Sequence, residues 1–254
     1  MHKPKDNKPQ KLFIYGKHAL AEALEHTPQA VRKVYLSPQV DDARLHELLK
    51  RHGISTAPLK EGSVREVEQG AAHQGVIAEI ASAGLVRQYK TFIESITPNP
   101  DTLFVLLDEL TDPHNVGAII RSAAAFGAAA VLLPEHNQAP ITGAVVKVSA
   151  GMAFRVPLVS IGNVNQAVRD LKDRGFWIYG LEGEGGQSIT QESFTAPTVL
   201  IVGSEAAGIR QKTKELCDVL LAIPIAPRCE SLNAAVATGV ALYAWSVRHP
   251  DVLA

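Results

Sequence analysis

Three stretches of the sequence place polar side chains where apolar segments end. They are Asp112-Pro-His-Asn115-Val-Gly117 with Arg121 behind it, Gly203-Ser-Glu205-Ala-Ala-Gly208, and Ser231-Leu232-Asn233. Together they offer amide, guanidinium, carboxylate and hydroxyl groups, all of which can form hydrogen bonds with a ligand. We interpret the three stretches as parts of one site.

The glycines of the second stretch follow an apolar strand and open a helix. Gly203 and Gly208 would let backbone N–H groups approach a ligand closely. The stretch is not a phosphate-binding P-loop, because no Lys and Ser or Thr follow the second glycine. Glu205 would also repel a phosphate, so a hydroxyl, amine or cationic group is a better partner. A tight strand-to-helix turn that binds nothing explains the glycines equally well.

A further glycine-rich stretch, Gly180-Leu-Glu-Gly183-Glu-Gly185-Gly186, also follows a strand. It resembles a dinucleotide-binding turn. However, Glu182 and Glu184 would oppose a pyrophosphate, and no helix begins promptly after them. We therefore interpret this stretch as a flexible loop.

The polar residues of the first and third stretches each have a purely structural alternative. Asn115 could simply cap the helix that begins there, and Ser231 or Glu230 could cap the last helix. Ser231 and Asn233 could instead present a hydroxyl and an amide to a pocket. Arg121 lies among small apolar residues. A buried, unpaired Arg is costly, so Arg121 is expected to meet an anion or a carboxylate.

From Thr102 onward the sequence alternates between apolar strands and helices. The pattern predicts strands at 103–107, 130–133, 157–160, 176–180, 199–202 and 219–223. It predicts helices at 116–126, 141–150, 163–174, 209–216 and 232–248. Short strands that are apolar on both faces are typical of parallel strands between helices. We expect an α/β domain whose ligand binds outside the carboxyl ends of the strands.

The first part of the chain predicts a smaller α/β unit. Strands are expected at 12–16, 31–36, 54–59 and 74–80, and helices at 17–25, 43–52 and 64–68. Asp41 or Asp42 can cap the second of these helices. Residues 82–101 contain Ser, Gly, Asn and Pro and read as a linker with a short helix at 88–96. The polar residues 1–10 are expected to be a disordered tail without the apolar core of a signal peptide.

Composition excludes several classes of protein. The chain has 254 residues, of which 46% are hydrophobic and 20% charged, as in ordinary globular proteins. No run approaches the roughly 18 apolar residues of a membrane span. The two cysteines, Cys217 and Cys229, form no disulfide framework or metal pattern, so we expect reduced thiols in the cytoplasm and no metal.

The charge is unevenly distributed along the chain. Residues 1–90 carry 14 Lys and Arg against 10 Asp and Glu, a net of +4, whereas residues 91–254 carry 11 against 16, a net of -5. This difference in net charge is small enough to arise by chance. The functional alternative is that the first part meets a polyanion and the second performs the chemistry.

In this order, the three motifs resemble those of the SpoU/TrmH family of RNA ribose 2′-O-methyltransferases, in the SPOUT superfamily. The residues that carry the resemblance are Asp112–Arg121, Gly203–Ile209, Ile223-Pro224 and Ser231–Asn233, and the likeness spans Leu103 to Trp245. The first 80 residues resemble the substrate-binding domain of the RlmB-like branch, which is similar to a group of small RNA-binding ribosomal proteins. Tyr15–Leu24 and His73–Ala78 carry this second, shorter resemblance.

The resemblance implies an α/β fold with two domains. A small α/β N-terminal domain, residues 11–81, would bind the RNA substrate, and a linker, 82–101, would join it to the methyltransferase domain, 102–254. That C-terminal domain would have the SPOUT fold, with a mostly parallel sheet and a deep trefoil knot, although knots are almost absent from proteins.

The resemblance also implies a cofactor, an assembly and a substrate. The methyl donor would be S-adenosylmethionine, bent and held by backbone groups at Gly203, Ile223 and Leu232. The enzyme would be a homodimer in which first-motif residues of one subunit complete the site of the other. The substrate would be structured RNA: a guanosine of 23S rRNA is favoured, and tRNA is the alternative.

The catalytic residues implied by the resemblance are Asn115, Arg121, Glu205, Ser231 and Asn233. Arg121 matches the family's catalytic Arg, which has been proposed as the base. A guanidinium stays protonated in proteins, so stabilising the developing alkoxide or gripping the adjacent phosphate is the better role. Asn115 would orient the ribose or Arg121, and Glu205 would hold Asn115, Arg121 or the nucleotide. Ser231 and Asn233 would complete the hydrogen-bonding shell.

Three positions depart from the family pattern. Pro227 stands where the family usually has Gly, Ala206-Ala207 follows Glu205 where Gly is frequent, and Phe154 replaces the Glu of RlmB-like chains. Arg155, beside Phe154, could add a phosphate contact or be a surface residue. None of these departures removes a catalytic position, but they leave the substrate open.

Two alternatives to a methyltransferase remain. One is a non-catalytic RNA-binding or ribosome-assembly factor with the same fold, although the intact motif residues argue against it. The other is a nucleotide- or NAD-binding α/β enzyme. The latter lacks support, because no G-x-G-x-x-G with an acid about 20 residues later follows the first strand of the C-terminal domain.

Overall fold

The computed structural model describes residues 11–59, 73–183, 185–204 and 207–253. The chain divides into two compact units, the first formed by residues up to 86 together with 141–155, and the second by 87–140 and 156 onward. The tail predicted at 1–10, the helix predicted at 64–68 and the predicted catalytic residue Glu205 lie outside the described residues. No helix in the described ranges is both long and apolar enough to cross a membrane.

Within those ranges the strands, in chain order, are β1 (Lys11–Tyr15), β2 (Val31–Leu36), β3 (Thr56–Pro58), β4 (Val76–Ala81), β5 (Val86–Gln88), β6 (Leu103–Asp108), β7 (Ala130–Pro134), β8 (Leu158–Ile161), β9 (Trp177–Leu181), β10 (Gln187–Ser188), β11 (Thr198–Gly203) and β12 (Val219–Ala222). The helices are α1 (Lys17–His26), α2 (Ala43–Arg51), α3 (Tyr89–Glu94), α4 (Pro113–Ala125), α5 (Gly143–Val148), α6 (Val164–Asp173), α7 (Gln211–Lys214) and α8 (Ala234–Ser246).

The first unit is built on a four-stranded sheet in the order β1-β4-β2-β3. β4 runs antiparallel to β1 and β2, and β3 is parallel to β2. Helix α2 begins after Asp42, whose carboxylate accepts a hydrogen bond from the Leu45 N–H at 3.0 Å. The N-cap predicted at Asp41 or Asp42 is therefore confirmed, because that bond satisfies a backbone N–H that has no partner within the helix.

Residues 141–155 belong to the first unit, although in sequence they lie between two strands of the second. At the start of α5, a Cβ on Gly143 would lie 2.1 Å from the Phe13 carbonyl oxygen, so only glycine permits this close contact with β1. Arg155 donates to both carboxylate oxygens of Glu22, at 2.6 and 3.1 Å. This hydrogen bond lowers the pKa of Glu22, whose side chain is only 6% exposed. Arg155 is thus bound to a carboxylate within the protein.

The second unit contains an eight-stranded sheet, counted over the described residues, in the order β10-β12-β9-β11-β6-β7-β8-β5. From β10 to β8, each neighbouring pair is parallel. Every residue of β6 and β11, at the middle of the sheet, is buried. Each of the six predicted strands is found within one residue of its expected limits. Strands buried on both faces read as continuous apolar runs, which explains the match for β6 and β11.

The stretch expected to be a linker, residues 82–101, contains β5 and α3. Phe92 and Ile93 of α3 are buried in the core of the second unit, and the Phe92 and Phe104 ring centroids are 5.8 Å apart. The short helix predicted within 88–96 is confirmed at Tyr89–Glu94. Separate substrate-binding and methyltransferase roles for 11–81 and 102–254 stay a prediction, as does the trefoil knot.

Two predicted helix caps are wrong. Helix α4 begins at Pro113 because Asp112 is its N-cap, accepting from the His114 N–H at 2.8 Å, so Asn115 lies inside the helix. Asn233, not Ser231 or Glu230, caps α8 by accepting from the Ala235 and Val236 N–H groups at 2.9 and 3.2 Å. In both cases several residues that favour caps stand close together, and the sequence does not say which one adopts the extended backbone of a cap.

Candidate active site

A cavity of about 270 Å³ lies in the second unit, where β9, β11 and β12 end. Gly203, Ile223 and Leu232, the three residues expected to bind the donor, all line it. Ser231 of the third motif lines it as well. The carboxyl edge of a parallel sheet is where α/β proteins bind their ligands, so the cavity is the candidate site.

The second motif forms a tight turn on the cavity wall. A Cβ on Gly203 would lie 2.1 Å from the Gly208 carbonyl carbon and 2.2 Å from the Ile209 nitrogen, so no side chain fits at residue 203. The Ser204 and Gly208 backbones exchange hydrogen bonds at 3.1 and 2.8 Å. Gly208 has φ +65°, a left-handed conformation that favours glycine. Close backbone packing thus accounts for both glycines.

A buried carboxylate joins the first strand of the site to this turn. Asp108, the last residue of β6, is fully buried. It accepts hydrogen bonds from the backbone N–H of Arg210 at 3.1 Å and from its Nε at 2.8 Å. A second guanidinium nitrogen of Arg210 lies 2.6 Å from Asp108 and a third lies 3.2 Å from Glu109. We call this contact the Asp108–Arg210 clamp.

Neither residue of the clamp belongs to the predicted catalytic or donor-binding residues. A signal was nevertheless available, because a carboxylate at the end of a fully apolar strand must find a partner when it is buried. The partner lies 102 residues further along the chain. No local pattern identifies it.

The first and third motifs meet through two side-chain amides. Asn233 Nδ2 donates to Asn115 Oδ1 at 2.9 Å. Because the Asn233 oxygen is engaged in capping α8, its NH₂ group is the part that faces α4. Asn115 is buried, with 8% of its surface exposed. Two of the predicted catalytic residues are therefore in direct contact.

Arg121 is not buried, so the expectation of a buried guanidinium is wrong. It is exposed on α4, and none of the ion pairs among the described residues includes it. It follows Asn115 by six residues, which turns its side chain about 120° away round the helix. Within one chain, Arg121 is not among the described residues that line the cavity with Ser231 and the three residues expected to bind the donor.

The stretch interpreted as a flexible loop begins on the cavity wall and ends in a strand. Leu181, Glu182 and Gly183 line the cavity. The Glu182 N–H donates to the Leu221 carbonyl at 2.9 Å, and β10, which follows the stretch, pairs with β12. Sequence reasoning missed these lining residues, because their neighbours come from strands that are distant in the chain.

Of the two thiols, Cys217 contributes no reactive group at neutral pH. Burial raises the pKa of the Cys217 thiol to about 12, so it stays protonated. Cys229 is exposed, and its Sγ lies 3.2 Å from the Ser231 carbonyl oxygen. In the described parts of the chain, no group of three His, Cys, Asp or Glu side chains could hold a metal ion.

Comparison with known sequences assigns the chain to a family. The profile of the SpoU rRNA methylase family matches residues 102–243, and a profile described as RNA 2′-O ribose methyltransferase substrate binding matches residues 13–85. The chain therefore belongs to the SpoU rRNA methylase family, which confirms the resemblance drawn from the three motifs.

Individual relatives cover almost the whole chain. The 23S rRNA (guanosine-2′-O-)-methyltransferase RlmB of Pseudomonas putida is 38% identical over 234 residues, which are 91% of this chain and 94% of that protein. The RlmB of Vibrio vulnificus is 36% identical over 234 residues, with the same two coverages.

Solved structures share the fold. The SpoU methyltransferase AviRb from Streptomyces viridochromogenes, in complex with AdoMet, has a TM-score of 0.80 at 24% identity and covers 98% of this chain and 95% of its own. AdoMet-bound rRNA methyltransferase from Sinorhizobium meliloti has a TM-score of 0.77 at 24% identity, covering 94% and 87%. Similarity at this level of identity establishes the α/β architecture.

Proposed function

We propose that this protein transfers a methyl group from S-adenosylmethionine to the ribose 2′-oxygen of a guanosine in 23S rRNA. The single observation that carries the proposal is the cavity at the ends of β9, β11 and β12, which the second and third motifs of the SpoU family line together. The substrate is taken from the relatives, because RlmB proteins of this specificity match the chain over nine-tenths of its length. We propose the cytoplasm as the location of the reaction, since rRNA is the proposed substrate.

The cavity residues fit S-adenosylmethionine. Leu181, Leu221 and Ile223 provide apolar surface for an adenine ring, and the ends of the strands provide backbone donors and acceptors. The cavity, about 270 Å³, lies near the lower limit of the roughly 300–1,000 Å³ usual for ligand pockets. When bound, the donor supplies a methyl group activated by the positive charge on its sulfur.

The amide pair is proposed to orient the ribose. Asn233 is fixed by its cap, so its NH₂ group holds the Asn115 carboxamide in one orientation. Asn233 itself does not line the cavity among the described residues, but its neighbours Leu232 and Ala234 do. An amide fixed next to them would direct the 2′-hydroxyl toward the methyl group, and such positioning accounts for much of the rate of an in-line displacement. Ser231, on the cavity wall, would add a hydroxyl to this hydrogen-bonding shell. Glu205, assigned from the resemblance, would hold one of these groups or the nucleotide.

Arg121 is proposed to act in the site of a second subunit. Its guanidinium is permanently charged, which suits the stabilisation of a developing alkoxide or the binding of the adjacent phosphate. Its exposure and its direction on α4 keep it from the cavity of its own chain. A homodimer would give Arg121 a place in an active site, because Arg121 of each subunit could complete the site of the other.

An exposed apolar face on α8 supports the proposed dimer. Val236, Val240, Tyr243 and Val247 are between 39% and 60% exposed. Their spacing of four, three and four residues puts them on one side of the helix. Tyr243 also contacts Phe126, the residue after α4, edge to face with 6.1 Å between the ring centroids. A second copy would remove this apolar surface from water.

The first unit is proposed to bind the RNA. Support comes from the substrate-binding profile, which matches residues 13–85, and from the net charge of +4 on residues 1–90. A basic surface attracts the phosphate backbone whatever its sequence. The specificity for one guanosine would then come from the shape of the folded RNA and from the active site.

The test is transfer of labelled methyl groups from S-adenosylmethionine to total RNA from a strain that lacks the protein. We expect label in 23S rRNA, at one guanosine 2′-oxygen. Label in tRNA would preserve the reaction and overturn the proposed substrate. Absence of label, with donor still bound to the protein, would favour the non-catalytic ribosome-assembly factor.

A further inference from the structure

His114, in the first turn of α4, is the histidine of the first motif and directly precedes Asn115. Its side chain is exposed, and none of the hydrogen bonds or ion pairs among the described residues uses the imidazole ring. Its backbone N–H is bound to the carboxylate of Asp112 at 2.8 Å. Imidazole is the side chain that takes up and releases a proton near neutral pH, so an unengaged imidazole in a catalytic motif is suited to proton transfer.

Helix α4 has two distinct faces. One packs against α8, because the Asn115 amide contacts that helix and a Cβ on Gly239 would lie 3.8 Å from the Ser122 hydroxyl oxygen. Asn115 and Ser122 are seven residues apart, which places them on the same side of the helix. His114 and Arg121 are also seven apart and lie about 100° round the helix from that pair. Both are exposed, so they form a second face that is open to solvent.

The surface between His114 and Arg121 is low. The two residues are separated by two helical turns, about 10 Å along the axis. Ala118, four residues after His114, lies on the same side between them and carries only a methyl group. The imidazole and the guanidinium both extend beyond that methyl group. One nucleotide can therefore lie across this face with its ribose at one side chain and its phosphate at the other.

The described lining of the cavity supplies no free general base. Its polar side chains are the hydroxyls of Ser204 and Ser231 and the carboxylate of Glu182, which is paired with Lys214, a residue outside the lining. The guanidinium of Arg121 stays protonated and cannot accept a proton. A hydroxyl group is a weak nucleophile until a base takes its proton. The reaction thus needs a base from elsewhere on the protein.

The shared face on α4 determines where His114 would act. The proposed dimer takes Arg121 to the site of the second subunit, and α4 is one continuous helix, so His114 points to the same site. The apolar face of α8 reaches the end of α4, where Tyr243 contacts Phe126. A second copy seated on α8 would therefore come beside α4.

We infer that His114 is the general base of the methyl transfer, in the same active site as Arg121 of its own subunit. The imidazole takes the proton of the ribose 2′-hydroxyl, the oxygen bonds to the methyl carbon, and the carbon–sulfur bond breaks with its electron pair left on sulfur. The imidazolium then gives its proton to water, while Arg121 stabilises the negative charge on the oxygen. The inference rests on the proposed function, since it takes methyl transfer to a ribose as the reaction.

The pH dependence of methyl transfer to unmodified 23S rRNA tests the role of His114, measured from about pH 5 to pH 8. The wild-type kcat should fall toward acid, because a protonated imidazole cannot accept a proton. His114→Gln keeps a hydrogen-bonding side chain but cannot act as a base. It should lower kcat about 100- to 10,000-fold and lose this dependence on pH. The KM for RNA, and the affinity for S-adenosylhomocysteine in calorimetry, should stay at their wild-type values.

Two controls separate proton transfer from a loss of structure. His136→Ala is the matched variant, because His136 is also exposed in the second unit but follows β7. It should keep the wild-type kcat and pH profile. Added imidazole should restore part of the kcat of His114→Ala, since the position is open to solvent, and should not restore Arg121→Ala. Thermal melting of each variant monitors folding.

Mixed dimers test whether His114 and Arg121 act in one site. In a dimer of one His114→Ala chain and one Arg121→Ala chain, each site would lack one of the two groups, so coexpression should restore no activity. The positive control pairs His114→Ala with Leu232→Trp, whose bulky ring would block the cavity. That dimer would contain one open cavity supplied with both groups, so half of the wild-type activity should return.

The outcomes separate this inference from the proposed function. If the wild-type protein transfers no methyl group to RNA, the proposed function fails and the role of His114 fails with it. If the wild-type protein is active and His114→Gln keeps its kcat, or loses only RNA affinity, the inference fails while the function stands. A fall in kcat toward acid that persists in His114→Gln would assign the base to another group, with Glu205 next in line. Activity in the dimer of His114→Ala and Arg121→Ala would place the two residues in different sites and also overturn the inference.

Discussion

Replacing Arg210 by alanine should destabilise the second unit far more than replacing an arginine in a surface ion pair. The substitution removes the guanidinium from Asp108, which is fully buried, and leaves that carboxylate only the backbone N–H of residue 210. Breaking a buried ion pair from one side costs about 3–5 kcal/mol, because a charge stays buried without compensation.

The loss of stability expected for Arg210→Ala is somewhat smaller than that range. Arg210 is 44% exposed, so water can enter the space that the guanidinium leaves. A single hydrogen bond to a charged group is worth about 1.5–3 kcal/mol. We therefore expect Arg210→Ala to lower the free energy of unfolding by about 2–3 kcal/mol, or to lower the Tm by about 4–12 °C for a unit of this size.

The assay is urea unfolding of the full chain, with Arg174→Ala as the matched control. Arg174 pairs with Asp170 four residues earlier at 2.9 Å, and both side chains are more than a third exposed. Such a pair contributes about 1 kcal/mol or less. Because Arg210 anchors a turn on the cavity wall, S-adenosylhomocysteine should also bind more weakly to Arg210→Ala. Equal losses of stability in the two variants would refute the reasoning.

Three further substitutions test the site and the assembly. Arg121→Ala should abolish methyl transfer while calorimetry still shows donor binding. Arg169→Ala, at another exposed arginine, is the control and should keep its activity. Turnover of Arg121→Ala at the wild-type rate would remove Arg121 from the mechanism. Gly203→Ala should greatly reduce both the Tm and the affinity for the donor, because the added Cβ would lie 2.1 Å from the Gly208 backbone. Gly183→Ala is the control. Its Cβ would meet no atom within 4 Å, so the Tm should change little. Tyr243→Lys should shift the protein from dimer to monomer in sedimentation velocity, because it places a charge in the apolar face of α8. Leu253→Lys, at a similarly exposed residue outside that face, should leave the dimer intact. A wild-type monomer would contradict the proposed dimer.

The two central strands of the second unit could be predicted from the sequence because their burial is complete. β6 and β11 are buried along their whole length, so each appears as an unbroken apolar run. Helix starts were harder to predict. Asp112 and Asn115 are both good caps three residues apart, and only the structure shows that Asp112 has the extended backbone of the cap.

Long-range pairs account for what the sequence could not reveal. Arg155 pairs with Glu22, 133 residues away, and this contact ties the segment 141–155 to the first unit. The Asp108–Arg210 clamp spans 102 residues. Glu182 was assigned to a flexible loop because its partners come from β12 and α7, which follow it by about 30 residues or more. In each case one residue predicts the need for a partner but not its identity.

The site could be predicted in part by its residue types. Gly203, Ile223, Leu232 and Ser231 line one cavity, and Asn115 contacts Asn233. The position of Arg121 could not be predicted, because its environment depends on which face of α4 turns toward the rest of the unit. Its exposure on α4 is one of the observations that support the proposed homodimer.

The central claim is methylation of a guanosine ribose in 23S rRNA, and nucleoside mass spectrometry of that RNA tests it most directly. A deletion strain should be complemented with the wild-type gene or with Arg121→Ala at equal protein levels. The account predicts that deletion removes one 2′-O-methylguanosine per 23S rRNA, that the wild-type protein restores it, and that Arg121→Ala does not. An unchanged content of 2′-O-methylguanosine in the deletion strain would contradict it.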